Sequence, residues 1–199
     1  MLESVVSSCV HRPNSINMSV EPGTGKGPRG IKDETGSIVV PAPLKLIAEQ
    51  ITTKNTEFEG GLDSSENHAV SSKLAACGQP SEFVNYKVYH LPMLSHRDYV
   101  FDVTWTDGKT DDGKTTATQT AISVENPKFP VGVQGRVRGY VYCVYTLTEI
   151  DPSTTRVDIL VNLDPMGSFP VWLAKLYAAA YPGLMLGRIK KQCIKALKA

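Results

Sequence analysis

Histidines, cysteines and two clusters of loop residues are the places where this 199-residue chain could do chemistry. His11, His68, His90 and His96 are the obvious acid–base candidates. None of them stands in a triad arrangement or at a metal-ligand spacing. Cys9, Cys77, Cys143 and Cys193 are spread along the chain with no C-x-x-C pair, which gives neither a zinc knuckle nor a redox motif. They read as reduced thiols of a cytoplasmic protein. The Gly- and Pro-rich stretch from Glu21 to Gly30 superficially resembles a phosphate-binding loop around Gly25-Lys26. That loop needs glycine where Val20 stands and a magnesium-holding Ser or Thr where Gly27 stands, so nucleotide binding is rejected. Asp107, Asp111 and Asp112 before Gly113 miss the offsets of a calcium loop and read as a solvated hairpin. No cofactor and no metal are expected.

The elements around these residues suggest a container. Ser37–Val40 reads as a short strand, and Pro41 and Pro43 open a helix whose Leu44, Ile47, Ala48 and Ile51 share one face. Residues 52–67 are polar and read as a loop. Strands are expected at 69–77, 82–90, 97–106, 115–124, 135–148 and 155–163, separated by turn residues such as Gly78-Gln79-Pro80, Asn126-Pro127 and Asp151-Pro152. Short turns between consecutive strands mean an antiparallel meander. From Val171 the pattern is helical, with Leu173, Leu176, Tyr177 and Ala180 on one face. A break is expected at Pro182-Gly183, and a second apolar stripe follows through Leu186, Ile189, Cys193 and Leu197. A curved antiparallel sheet closed by a long terminal helix is an α+β architecture, and it tends to leave a cavity between the two.

The formal net charge of +1 hides an asymmetry. Residues 171–199 carry six cations and no acid, while the rest of the chain has 15 basic residues against 20 acidic ones. Nonspecific nucleic-acid binding is therefore not expected, and the basic helix suggests docking to anionic lipid or an acidic partner. Residues 169–187 are nearly apolar, but Lys175, the Pro182-Gly183 pair and the many small residues argue for a helix packed on the sheet rather than a membrane span. The N-terminus lacks the basic start and long apolar core of a secretory signal.

Five stretches in order carry a family resemblance. Leu94-Ser95-His96-Arg97-Asp98-Tyr99-Val100 resembles the L-S-N-R-D-F/Y-V motif of START lipid-transfer domains. Val39–Pro43 resembles the strand and helix start of that family's first half. Ser123–Pro127 is similar to its S-V-E-H-P, and Gly135-Arg136-Val137-Arg138-Gly139 to its G-x-V-R-A. Thr155–Val157 with Asp164–Leu173 resembles its T-R-V and D-P-x-G-x-L-P-x-W-L. The resemblance covers about residues 36–199 and looks nearest the phosphatidylcholine-transfer subgroup. It implies a helix-grip fold, a curved antiparallel sheet wrapped around the C-terminal helix, over residues 37–199. Residues 1–36 are left as an N-terminal extension or a degenerate first part of the domain. Phe58-Glu59 is read as the counterpart of a family Trp-Asp. Lys87 stands where several members have an acid.

The resemblance also implies a function: a monomeric, non-enzymatic carrier that holds one lipid, a phospholipid in preference to a sterol or ceramide, and makes transient contact with membranes. A lipid sensor and an enzyme of the same superfold are the competing readings. Arg97 is then the candidate for the head group, since a guanidinium grips a phosphate with paired hydrogen bonds; an ion pair with Asp98 or another acid is the structural alternative. Lys87 adds a second cation if it faces inward, and Asn85, Tyr89 and Arg138 are further polar candidates, with a salt bridge the bland reading for Arg138. Tyr99, Phe101, Val103 and Trp105 alternate along one strand face as a tail-lining wall or as plain core. Leu91–His96 and the helix from Pro170, bearing Trp172, Leu173, Leu176, Tyr177 and Ala180, form the expected lid. Trp172 and Tyr177 are placed either at the membrane interface or against the cavity.

Overall fold

Alternation decides the centre of the molecule. In the segments Glu82–Tyr89, Arg97–Lys109, Thr115–Ser123, Tyr140–Asp151 and Thr154–Asp164, successive side chains must point to opposite faces of a strand. In four of them one phase is largely apolar, and in Thr115–Ser123 the inward phase is Ala117, Gln119, Ala121 and Ser123. The computed structural model, which describes residues 27–53, 62–90 and 94–198, pairs these segments in one eight-stranded sheet. The strands are β1 (Glu34–Val40), β2 (Leu62–Ala69), β3 (Glu82–Tyr89), β4 (Arg97–Lys109), β5 (Thr115–Ser123), β6 (Val137–Arg138), β7 (Tyr140–Asp151) and β8 (Thr154–Asp164). Their order is β1-β8-β7-β5-β4-β3-β2, antiparallel throughout, with the short β6 running parallel to β4. Helix α1 (Leu44–Thr53) follows β1, and α2 (Val171–Ala196) closes the chain. This is the expected α+β architecture, a sheet closed by a terminal helix.

The register lines up one face. Val103, Ala121, Cys143 and Val161 stand side by side across four strands. Trp105, Gln119, Tyr145, Ile159 and Gly36 form a neighbouring row. The apolar members of these rows, Ile47 and Ile51 of α1, and Met185, Leu186, Ile189 and Cys193 of α2 share one core. The opposite face carries a smaller core. Phe129, from the segment between β5 and β6, stacks on Tyr86 at 4.4 Å over Val84, Val88 and Val100.

The structure corrects four expectations. The strand placed at 69–77 is β2, at Leu62–Ala69, mostly within the stretch 52–67 read as loop; of the residues after it only Leu74 makes an isolated bridge, to Pro80. Its sequence, LDSSENHA, has little strand propensity, and it is held as an edge strand by pairing with β3. The strand expected over 135–148 is split at Gly139 into β6 and β7. Helix α2 runs unbroken through Pro182. Pro182 is buried against Gly36, where an added Cβ would lie 3.0 Å from both the Pro182 Cβ and a Leu186 methyl carbon. That close seat offsets the backbone bond the proline cannot make. The expected face of Leu173, Leu176, Tyr177 and Ala180 is rotated as well: Ala174 and Ala178 are the fully buried residues there, packed on Ile31 and Phe169. Among the described residues no helix is long and apolar enough to cross a membrane.

Residues ahead of the expected boundary at 37 join this fold. β1 begins at Glu34, and Ile31 is buried. The Arg29 Nε donates to both carboxylate oxygens of Asp164 (2.9 and 2.8 Å), and its Nη1 donates to the Phe169 carbonyl (2.8 Å), just before α2 starts. Phe58-Glu59, Cys9 and His11 lie outside the described residues.

Cys77, Cys143 and Cys193 are buried, and none of them forms a disulfide among the described residues. Burial pushes the Cys193 thiol up to about 11. At pH 8 its thiolate is then about one part in a thousand of the population. Iodoacetamide followed by peptide mapping should leave Cys193 unmodified in the native protein and modify it after unfolding. Alkylation of Cys193 at a free-thiol rate without loss of fold would contradict its place in the core.

Candidate functional site

Between the sheet's concave face and the N-terminal half of α2 lies a cavity of about 220 Å³. Its existence follows from side-chain sizes. Ala121 and Cys143 sit at the middle of the wall, where their short side chains leave space that α2 does not fill. Larger residues frame them: Phe101 on β4, Tyr145 on β7, Leu163 on β8, and Tyr177 and Tyr181 on α2. α1 covers the sheet face beyond the lining. There the Trp105 indole N–H donates to Thr52 Oγ1 of α1 at 3.3 Å.

The polar groups gather on β3 and β4. Lys87 lies in register with Tyr99 and is only 4% exposed. Its ammonium stands 5.7 Å from the centre of the Phe101 ring. Arg97 is 1% exposed. Its Nε donates to the Pro165 carbonyl (3.3 Å), Nη2 to Met166 (3.5 Å) and Nη1 to Ser95, while the guanidinium lies 5.8 Å from the Phe169 ring centre. Burial pulls the Arg97 guanidinium below the ordinary arginine range; Tyr99 opposes this and the charge of Arg29 adds to it. Tyr89 and Tyr99 meet edge to face at 5.3 Å beside these cations.

The alternative pairing of Arg97 with Asp98 does not occur. Neighbours on a strand point to opposite faces, and Asp98 is turned to the outer side. There its two oxygens accept from Arg138 Nε (2.9 Å) and Nη2 (3.0 Å) in a buried bidentate pair. Arg138 Nη2 also donates to the Phe129 carbonyl (2.9 Å). Arg138 is therefore part of the outer core and not of the cavity.

Of the side chains singled out from sequence, Lys87, Tyr89, Arg97, Tyr99, Phe101 and Tyr177 line the cavity together. Val103 and Trp105 belong to the solid core beneath α1. Asn85 is buried just off the lining, its amide donating to Ser65 and Asn67. Trp172, Leu176 and Ala180 point outward, and Leu173 is half-buried outside the lining. Leu91, Pro92 and Met93 of the expected lid lie outside the described residues. His90 and His96 meet each other edge to face at 4.4 Å, and neither lines the cavity. The lining residues that sequence reading missed are Gln119, Ala121, Val141, Cys143, Tyr145, Leu163, Pro165, Phe169 and Tyr181. For the six on β5, β7 and β8 the signal was the odd-numbered phase, which cannot be assigned to a face before the register is known, while Pro165 and Phe169 precede α2 and Tyr181 lies on it.

No family model matches the chain, and no curated protein does. Solved structures do match. Human STARD10 superposes with a TM-score of 0.66 at 17% identity, over 85% of this chain and 66% of that one. The lipid transfer and protein localization domain of human StarD13 gives 0.64 at 20% identity, over 81% and 76%. A STAR-related lipid transfer protein from Xanthomonas axonopodis gives 0.61 at 21% identity, over 82% and 86%. The chain has the START fold. The sheet curved around the terminal helix is thus the START helix-grip, and its cavity lies between the grip and the helix. The chain spans just under two thirds of the STARD10 chain.

Proposed function

We propose that the chain binds one lipid in this cavity and carries it between membranes, a phospholipid in preference to a sterol or ceramide. The observation that carries the reading is the cavity itself, an apolar, tyrosine-framed space with two buried cations in one wall. Acyl chains need dry apolar surface, and a phosphate needs fixed donors. A sterol hydroxyl is neutral and gives the Arg97 guanidinium, which donates to carbonyls, no counter-charge. The START likeness adds support: two of the matching structures are described as a lipid transfer domain and a lipid transfer protein. Reversible exchange needs no covalent step. No histidine, aspartate or glutamate lines the cavity among the described residues to serve as an acid–base pair. Native mass spectrometry of the purified protein tests the reading. A phospholipid at one-to-one is the expected result; a sterol would remove the phosphate reading, and no lipid, with none taken up from mixed vesicles, would remove lipid binding.

Membrane contact is assigned to the outer face of α2. Trp172 is 70% and Leu176 63% exposed, Leu184 is exposed further along, and Lys175 and Lys191 are exposed on the same helix. Tryptophan settles at the membrane interface, and each lysine near an anionic surface contributes about 1 kcal/mol. Replacing both Trp172 and Leu176 by Ala should leave stability within about 0.5 kcal/mol, because both are exposed. It should also leave uptake of monomeric lipid intact while slowing vesicle-to-vesicle transfer roughly tenfold. Unchanged transfer would move the docking surface elsewhere.

A further inference from the structure

We infer that the lipid held in this cavity bears a second polar group part-way along its chain, a hydroxyl or another group that both donates and accepts, and that Gln119 binds it. This rests on the lipid-binding reading above and concerns the inner end of the same site. Gln119 lines the cavity and is only 6% exposed. Among the described residues its side-chain amide makes no hydrogen bond. Its cross-strand neighbours are Trp105 on β4 and Tyr145 on β7. The Trp105 N–H is already given to Thr52, and the nearest inward residues on β5 are Ala117 and Ala121, which carry no polar side-chain atom. Asn162, a buried amide on β8, is held quite differently: its Nδ2 donates to the Ile31 carbonyl at 2.9 Å and to Asp33 at 2.8 Å. Gln50 Oε1 also lacks a partner among the described residues, but Gln50 does not line the cavity.

Burying an amide without a partner is unfavourable, and an apolar side chain at this position would avoid the cost. The missing partner is therefore assigned to the ligand. A primary amide has two donor hydrogens and a carbonyl acceptor. A hydroxyl answers both from one atom, and a methylene answers neither. The place of Gln119 sets where on the ligand that group must stand. Gln119 is opposite Trp105, eight residues beyond Arg97 on β4. That is roughly 26 Å of strand at about 3.3 Å per residue. A head group at Arg97 thus leaves Gln119 to the chain, well past its first carbons.

The test uses the full chain and vesicles holding equal amounts of two phosphatidylcholines, one with a plain octadecanoyl chain and one with a hydroxyl at the middle of that chain. Native mass spectrometry of the protein recovered from them reads which lipid is bound. The hydroxylated lipid should be enriched about tenfold, the effect of one buried hydrogen bond. Gln119→Met keeps the side-chain length and removes the amide. Loaded from the same vesicles it should show no enrichment, which separates the Gln119 contact from any difference in how the two lipids leave the bilayer. Ligand-free Gln119→Met should melt no lower than the wild type, since it loses no hydrogen bond within the protein; a clear drop would make Gln119 a structural residue and overturn the inference. Equal loading of the two lipids by the wild type, an enrichment that survives in Gln119→Met, or the same enrichment with the hydroxyl moved to the second carbon overturns it as well and leaves lipid binding standing. Uptake of neither lipid, with none taken from vesicles that also hold sterol and acidic phospholipid, overturns the lipid-binding reading itself.

Discussion

Asp98→Ala should lower stability by about 3–5 kcal/mol, the cost of leaving a buried charge without its partner. The reason is geometric. Asp98 and Arg138 are both buried, and two parallel hydrogen bonds of 2.9 and 3.0 Å join them. Removing the carboxylate leaves the guanidinium with the Phe129 carbonyl, while its Nη1 already has no hydrogen-bond partner among the described residues. In a chain of this length 1 kcal/mol corresponds to roughly 2–4 °C, so thermal denaturation should show a drop of about 10 °C. The double variant Asp98→Leu with Arg138→Met removes both charges and should recover most of the loss, because the desolvation cost disappears with the pair. If the double variant melts as low as the single one, the uncompensated charge is not the cause. Lipid occupancy of the double variant should match the wild type, since the pair faces away from the cavity.

The same pair shows what could be read from sequence. Arg97 and Asp98 are adjacent, and adjacency suggested an ion pair. On a strand, adjacency means opposite faces, so Arg97 went to the cavity and Asp98 to the outer core. The partner of Asp98 was forty residues away on β6, which pairs with β4 in parallel. That distance is invisible to local pattern. β3, β4 and β8 were legible because their alternating phases are strong, and β5 because turn residues bound it on both sides. β2 was not, because an edge strand takes its order from pairing rather than from its own side chains. Pro182 was read by its local rule as a break, and tertiary packing on Gly36 overrode the rule. Tyr99, Phe101, Val103 and Trp105 were correctly placed on one face. Where the wall ends and the solid core begins depended on α1, whose Thr52 reaches the Trp105 indole. The cavity's small-residue centre, Ala121 and Cys143, required the register of three strands before it could be seen.

Gly139→Ala should close the polar side of the cavity. The Tyr99 ring lies directly over Gly139: an added Cβ would fall 2.2 Å from Tyr99 Cε1 and 2.5 Å from Cζ, far inside contact distance. The Gly139 backbone is pinned, since its N–H donates to the Asp98 carbonyl at 2.8 Å. The ring must therefore move. Tyr89 packs on one side of it, and the open space lies in the cavity that Tyr99 lines. The G-x-V-R-A pattern that residues 135–139 resemble ends in alanine, so Gly139 is the departure that makes room for this ring position. Overpacking of this kind costs about 1–3 kcal/mol of stability. The larger effect should be on the ligand: a phenol displaced into the space between Lys87 and Arg97 takes the place of the head group, and lipid affinity should fall about tenfold or more. Tyr99→Leu in the Gly139→Ala background removes the ring and should restore lipid occupancy in native mass spectrometry without restoring all of the stability. Full lipid occupancy in Gly139→Ala alone would show that the Tyr99 ring has another place to go.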